Sequence, residues 1–261
     1  MDELMKIMYI PDPQVKPNVP LDHLIWAGDY MVDKKPDAVV CAGDFGDMPS
    51  LSSYDVGKKS FEGRRYKNDI AAVHKAMQLF LSPLEEYNQR SAANHKERYR
   101  PDMHMLLGNH EERILRAVEN DPKLDGVLGY HDLGYEDYGW TVHPFLEPIT
   151  IGGVSFCHYF PSGVMGRPIT TARSLLNKMH MSCVAGHLPG LDYARDARAD
   201  GTQISTIIAG SFYQHHETYM SPLVNKRHWH GIIMLHQVKD GSFDPMFVNI
   251  NYLKERYKRK R

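Results

Sequence analysis

The chain has 261 residues, of which 42% are hydrophobic, and no Ser/Gly-rich linker or composition break divides it, so we expect one domain with a sizeable core. No run approaches the roughly 18 apolar residues that span a bilayer, the start MDELMKIMYIPD does not resemble a signal peptide, and three scattered cysteines exclude a disulfide framework. The net charge of −1 combines a body of 25 basic and 31 acidic residues with a basic tail, KERYKRKR, at 254–261.

Five short apolar runs bounded by Gly or Pro fit buried strands of a layered α/β sheet. They are MKIMYI, DAVVCAG, MHMLLG, GVSFC and SCVAG, and each leads into polar residues that can bind a ligand. In chain order these residues are Asp12 and Gln14, Asp44 and Asp47, Asn109 and His110, His158, and His187. Because such sheets bind ligands in the crevice outside the carboxyl ends of their strands, we expect these side chains to share one site.

The spacing of apolar residues predicts four helices between these strands, in LDHLIWAGDYMV, residues 67–84, HEERILRAVEN and TTARSLLNKMH. Pro83 is expected to bend or end the second helix, because proline cannot donate the backbone hydrogen bond. Glu111 and Glu112 suit the N-terminus of the third, where the helix dipole favours negative charge.

The last third of the chain changes character. QISTIIAG, HGIIMLHQV and DPMFVNI are predicted strands, and VKDGSF is a hairpin turn, because Asp-Gly tolerates positive φ. A second, partly antiparallel sheet that packs on the first, with helices outside, is therefore expected.

The ordered motifs resemble those of the calcineurin-like metallophosphoesterases, whose pattern is DxH, GDxxD, GNH(E/D), H and GHxH. Here they are Asp12 with Gln14, GDFGD at 43–47, GNHE at 108–111, His158, and Gly186-His187. The match spans Asp12 to His187, about two thirds of the chain. It implies an α/β fold, a four-layer α/β/β/α sandwich of two mixed β-sheets flanked by helices.

The resemblance also implies two divalent metal ions. Asp12 and Gln14 would bind the first ion, Asp44 would bridge both, and Asn109, His158 and His187 would complete the second. Carboxylate, amide and imidazole donors suit Mn²⁺, with Fe²⁺, Zn²⁺ or Ni²⁺ as alternatives, and two such ions can polarise a phosphoryl group. His110 and Asp47 would form the catalytic pair: His110 contacts the phosphate or protonates the leaving oxygen, and Asp47 orients a ligand or histidine.

Two departures from the family pattern fall on the first metal. Gln14 replaces the histidine of DxH, and Pro189, which has no side-chain donor, stands where GHxH has its last histidine. The first site is therefore expected to be weak, or to recruit a histidine from elsewhere. The candidates are His215, His216, His228 and His230.

Residues 48–100 are interpreted as a helical cap insertion over the substrate. Within it Arg64 and Arg65 are candidate phosphate ligands, because a guanidinium fork matches phosphate oxygens, and Arg167 is a further candidate. A solvated charged loop is the alternative. Likewise the tail at 254–261 is either a solvated terminus or a segment that binds polyanions.

Taken together, these features predict a metal-dependent phosphoesterase over residues 1–253, acting on phosphodiesters, nucleotides, DNA or RNA. The alternatives are a phosphomonoesterase or protein phosphatase, and a non-catalytic relative that binds nucleic acid or protein. Because the sequence has no membrane-spanning run and no signal-peptide pattern, we expect a cytoplasmic protein. Short members of this kind are frequent in phage genomes, and the location would be the host cytoplasm if a phage encodes it.

Overall fold

The computed structural model describes residues 4–216, 223 and 227–258, which form two large β-sheets and a small hairpin. The first sheet has the order β13-β12-β1-β2-β3-β4. Its strands are β1 (Met5–Ile10), β2 (Ala38–Cys41), β3 (Asp102–Leu106), β4 (Thr141–His143), β12 (Gly231–Lys239) and β13 (Ser242–Asn249). Strands β1 to β4 are parallel, and β12 adds an antiparallel hairpin with β13 beside β1.

The second sheet has the order β10-β11-β9-β6-β5 and is also mixed. Its strands are β5 (Ile149–Ile151), β6 (Val154–Cys157), β9 (Cys183–Ala185), β10 (Leu191–Ala197) and β11 (Gln203–Ala209). The strands β6, β9 and β11 are parallel, whereas β5 and β10 pair antiparallel at the two edges. The hairpin consists of β7 (Pro161–Ser162) and β8 (Arg167–Pro168).

Three apolar clusters define four layers, which confirms the predicted α/β/β/α sandwich. One cluster lies between the first sheet and its helices, the second between the two sheets, and the third between the second sheet and α4. The helices are α1 (Asp22–Lys34), α2 (Tyr66–Ala93), α3 (Glu112–Asn120), α4 (Ala172–Met179) and α5 (Ile250–Tyr257).

Helix α2 continues through Pro83, so the expectation that this proline ends the helix is wrong. Proline cannot donate to the carbonyl of Leu79, but the Ser82 hydroxyl does so instead, over 3.0 Å. Helix α2 also packs closely on α1, where a side chain at Gly28 would collide with the Phe80 carbonyl.

The range 48–100 divides into two parts. Helix α2 buries Val73, Met77 and Phe80 in the cluster beneath the first sheet and is part of the sandwich. The preceding segment, with short 3-10 turns at Pro49–Leu51, Ser53–Asp55 and Lys59–Phe61, lies outside the regular layers, as does the connection 94–100 that leads to β3.

The tail is partly helical. Its first four residues end α5, and residues 259–261 lie outside the described part of the chain. Among the described residues, the helices are too short or too polar to cross a membrane. The three cysteines are buried and form no disulfide.

Candidate metal centre

Four side chains from the ends of β2, β3, β6 and β9 converge at one edge of the sandwich. Asn109 Oδ1 lies 2.9 Å from His158 Nε2 and 2.8 Å from His187 Nδ1. The Asp44 carboxylate approaches the same point, with Oδ2 3.5 Å from His158 Nε2. Among the residues that the structure describes, Asp44, His158 and His187 are the His/Cys/Asp/Glu group whose geometry could hold a metal ion.

The hydrogen bonds of His158 show why a cation fits here. Its Nδ1 lies 2.8 Å from the Ala42 carbonyl, which can only accept, so Nδ1 carries the proton. Burial lowers the pKa of His158, which keeps the ring neutral and leaves a lone pair on Nε2. This lone pair and the oxygens of Asn109 and Asp44 then meet without a proton between them. A carbonyl that fixes the ligating tautomer in this way is typical of metal-binding histidines.

The charges around this point also favour metal ligation. Burial lowers the pKa of His187 to about 4, and the neighbouring His158 adds to the shift, so His187 is neutral near pH 7. Burial opposes ionisation of Asp44, but His110 nevertheless holds its pKa below the usual range. A carboxylate and two neutral imidazoles are therefore available together.

Glu111 holds the loops that carry these ligands, a role that the sequence interpretation missed. It is fully buried, and its carboxylate accepts from the backbone N–H groups of Asp44, Gly46 and Gly108 over 2.9 to 3.1 Å. The Tyr135 hydroxyl donates a further hydrogen bond of 3.1 Å. Its position next to GNH was visible in the sequence, but the partners of its carboxylate lie up to 67 residues away.

His110 and Asp47, the predicted catalytic pair, are in direct contact. His110 Nδ1 lies 2.7 Å from Asp47 Oδ1, and its Nε2 lies 3.7 Å from Asp44 Oδ2. Burial opposes protonation of His110, but Asp44 and Asp47 raise its pKa. His110 can therefore act as a charged donor beside the metal ligands.

Two further cations meet at Asp47. Lys16 Nζ lies 3.2 Å from Asp47 Oδ2, and Arg113 donates to the Asp47 carbonyl over 2.6 Å. The other end of the Arg113 guanidinium lies 3.2 Å from His110 Nε2. The sequence interpretation assigned no role to Lys16 or Arg113, because neither lies at a position of the motif pattern.

Asp12 supplies part of the first predicted metal site. Its side chain is buried, Oδ1 has no hydrogen-bond partner among the residues that the structure describes, and a side chain at Gly186 would collide with this oxygen. Burial raises the pKa of Asp12, and Asp44 adds to the shift, whereas the backbone N–H of His187 opposes it. A cation beside Asp12 would satisfy the orphaned oxygen and lower this pKa.

The other two positions of the first predicted site, Gln14 and Pro189, offer fewer ligand atoms. The Gln14 backbone N–H donates to the Asp44 carbonyl over 2.8 Å, but its side chain makes no hydrogen bond with the described residues. Pro189 offers only its carbonyl, which accepts from Trp229 N–H over 2.9 Å.

The four candidate histidines lie in segments next to the first site. His228 and His230 flank Trp229, which contacts Pro189, while Phe212, close to His215 in the chain, donates to the Asp12 carbonyl over 3.2 Å. His230 Nδ1 pairs with Ser211 Oγ, and His228 Nδ1 with the Tyr213 hydroxyl. None of these histidines forms a converged ligand group with Asp12 in the described part of the chain.

The backbone is strained at the predicted ligands. Asp12, Gln14, Asp44 and His187 have φ values of 35°, 43°, 46° and 66°, in the left-handed region that favours glycine. Such conformations cost on the order of 1–3 kcal/mol each and persist where the surrounding structure enforces them, which is common at functional sites.

A cleft of about 1010 Å³ opens beside His110 and Asn109. Lys16, Arg113, His215 and His216 line it, and the 49–65 segment forms its far wall.

Arg64 and Arg65, the predicted phosphate ligands, are both in this wall. However, the Arg64 guanidinium already binds Asp55 and the carbonyls of Pro49 and Ser60 over 2.8 to 3.0 Å. These contacts hold the wall together. Arg65 is exposed and donates to the Arg64 carbonyl over 2.7 Å.

No protein-family model matches the chain, and no curated protein matches it. A predicted phosphoesterase from Streptococcus pneumoniae is a similar solved structure, with 12% identity, a TM-score of 0.35 and coverage of 95% of this chain and 90% of that one. YfcE, a phosphoesterase from E. coli, has 14% identity, a TM-score of 0.34 and coverage of 94% and 100%. Both TM-scores are below 0.5, so neither similarity supports a conclusion about function.

Proposed function

We propose that this protein is a metal-dependent phosphoesterase that hydrolyses phosphodiesters, with a nucleotide or nucleic acid as substrate. The observation that carries this proposal is the convergence of ligand atoms from Asp44, Asn109, His158 and His187 at one point, with the His110 ring beside Asp44.

In this proposal Asp44, Asn109, His158 and His187 hold one divalent ion, and Asp12, Gln14 and Asp44 hold a second more weakly. When bound, such ions polarise a phosphoryl group and activate the attacking water. Manganese is the expected metal, because the ligand set combines carboxylate and amide oxygens with imidazole nitrogens.

The chain's own residues orient the substrate and provide a proton. Asp47 fixes the His110 ring through the 2.7 Å contact to Nδ1, which leaves Nε2 directed towards Asp44 and Arg113. Nε2 can then stabilise a phosphoryl oxygen or donate a proton to the leaving oxygen, a contribution of about 10²- to 10⁴-fold in rate.

A diester substrate is favoured by the cleft. Its volume of about 1010 Å³ greatly exceeds what a single phosphate group needs, and Lys16 and Arg113 place positive charge next to His110. These features accommodate groups on both sides of a phosphate, as in a nucleotide chain.

The test is hydrolysis with Mn²⁺ of bis-p-nitrophenyl phosphate, p-nitrophenyl phosphate, and single- and double-stranded oligonucleotides, together with metal analysis. We expect turnover of diesters to exceed that of the monoester and to disappear with a chelator. His131→Ala, which alters an exposed histidine outside the site, is the matched control for histidine substitutions. Faster turnover of the monoester would indicate a phosphomonoesterase, and metal binding without turnover would indicate a non-catalytic binding protein.

A further inference from the structure

The hairpin of β7 and β8 has an apolar tip that the proposed chemistry does not use. Val164 and Met165 lie between two glycines with positive φ, Gly163 at 68° and Gly166 at 60°. Their exposed fractions are 104% and 77%, and Val164 is the most exposed large hydrophobic residue in the described part of the chain. This exposed apolar pair is available to pack against an apolar surface of a partner, which would remove it from water.

The base of this hairpin lies against the metal centre. Ile169 N–H donates to the Phe160 carbonyl over 3.0 Å, and Phe160 and Ile169 share an apolar cluster with Leu188, the residue after His187. The Tyr159 ring, just before the base, lies 4.8 Å from the His187 ring. At about 3.3 Å per extended residue, the tip is within about 15 Å of this base.

Positive charge surrounds the hairpin. Arg167 is exposed and makes no ion pair with any described residue, and Lys178 of α4 contacts the Ser162 hydroxyl. On the side of the metal centre, Arg116 donates to the Asn109 carbonyl over 2.6 Å. Burial raises the pKa of the partly exposed Tyr159, and the nearby Arg116 opposes this shift. Arg167 and Lys178 thus place positive charge on the hairpin itself, and Arg116 lies near Tyr159, next to the hairpin base.

We infer that the hairpin is a nucleic-acid contact: Val164 and Met165 pack against the bases of a strand whose phosphates pair with Arg167. This inference rests on the proposed function and specifies a polynucleotide as its substrate. Apolar side chains that insert at base steps or stack on bases, next to cations that bind phosphates, are a recurring means of holding nucleic acid. A surface of this composition beside a phosphodiester-cleaving centre would hold the strand that extends beyond the scissile phosphate.

The experiment replaces the tip by Val164→Ser with Met165→Ser in the full chain. We expect the KM for single-stranded oligonucleotides to rise about tenfold, in keeping with the loss of one base contact. Turnover of bis-p-nitrophenyl phosphate, a diester too small to reach the tip, is measured in parallel and should change less than twofold. The control pair is Val127→Ser with Met246→Ser, which removes exposed apolar side chains elsewhere and should leave both substrates unaffected.

A second variant, Arg167→Gln, tests the phosphate contact. Loss of one phosphate contact should reduce the slope of log binding constant against log salt by about 0.7 for a single strand. Binding is measured by fluorescence anisotropy with a labelled oligonucleotide, so this readout does not require turnover.

The outcomes separate the two proposals. An unchanged oligonucleotide KM and salt slope, with normal cleavage of the small diester, would overturn the hairpin inference and leave the phosphoesterase proposal intact; a protein-binding hairpin would give this result. Equal losses on both substrates would also overturn it, because they would show that the hairpin supports the fold of the site. If the unaltered protein cleaves no ester, the anisotropy measurements still decide whether the tip binds nucleic acid.

Discussion

The two predicted metal sites differ in how many ligand atoms the fold brings together. The second, at Asp44, Asn109, His158 and His187, has four donors within hydrogen-bonding or near-contact distance, and the Ala42 carbonyl fixes the His158 tautomer. The first has the buried Asp12 oxygen and the shared Asp44, but the Gln14 side chain makes no hydrogen bond within the described part of the chain, and Pro189 provides no side-chain donor. The ligand atoms of one predicted site are thus in place, whereas the neighbouring site that shares the Asp44 carboxylate has few. Five substitutions, at His158, His110, Glu111, Gln14 and Asn109, test the proposed roles of the residues at and around these sites.

The largest effect is expected for His158→Ala. It removes a fully buried ligand from the prepared site, so metal affinity should fall by more than the roughly 100-fold seen when only a supporting residue is lost. Isothermal titration with Mn²⁺ measures the change, and His131→Ala serves as the control. Retention of both ions at unchanged affinity would show that His158 is not a ligand.

His110→Ala should lower turnover by about 10²- to 10⁴-fold, because it removes the proton donor beside Asp44. Metal content should remain close to that of the unaltered protein, since His110 is not among the converged donors. Steady-state kinetics combined with metal analysis tests both statements. Loss of metal in this variant would instead assign His110 to the ligand set.

Glu111→Gln should lower metal affinity by about 10- to 100-fold, because the carboxylate fixes the loops rather than the ion. In Glu111→Gln, the amide NH₂ would replace a carboxylate oxygen that accepts hydrogen bonds from backbone N–H groups in the unaltered protein. These backbone donors would lose their acceptor, so the free energy of unfolding should also fall. Glu112→Gln, at the next position of the same helix start, is the matched control. Equal effects of the two substitutions would contradict the supporting role of Glu111.

Gln14→Ala is expected to have the smallest effect, less than about tenfold on metal affinity, against a larger loss for Asn109→Ala. Both substitutions delete an amide from a predicted ligand position, so their comparison isolates the difference between the two sites. Titration curves that resolve two binding events would show which one each substitution weakens. If Gln14→Ala were the more damaging change, the first site would be the tighter one.

The sequence predicted the fold class and the strand-end positions of the ligand candidates, because apolar runs and their polar ends are local patterns. The outcome for Arg64 and Glu111 depended on hydrogen-bond partners that the local sequence pattern does not indicate. Arg64 was expected to be available for phosphate, but Asp55 and two carbonyls of its own segment engage it. Glu111 was interpreted only as a favourable helix-start residue, although it connects loops far apart in the chain.

Strand β10 and helix α5 are among the elements that were not predicted, and they were missed for related reasons. Strand β10, LDYARDA, is exposed at most positions, and its polarity gave no strand signal until β11 paired with it. The tail was interpreted from charge alone, yet Leu253 anchors α5 in the core, and Tyr257 donates to Asp33 over 2.6 Å. A pattern of charged residues does not indicate that a single apolar residue among or beside them is buried in the core.

The left-handed backbone at Asp12, Asp44 and His187 affects which substitutions would stabilise the protein. At each of these positions glycine would relieve local strain, so the residues required for chemistry are ones that the isolated backbone disfavours. A laboratory search for heat-resistant variants, made without an activity screen, should therefore accumulate glycine or asparagine at these positions. Other residues with left-handed backbone, such as Lys35 and Leu146, should change in the same search, and a parallel screen for activity would separate them from the predicted ligands.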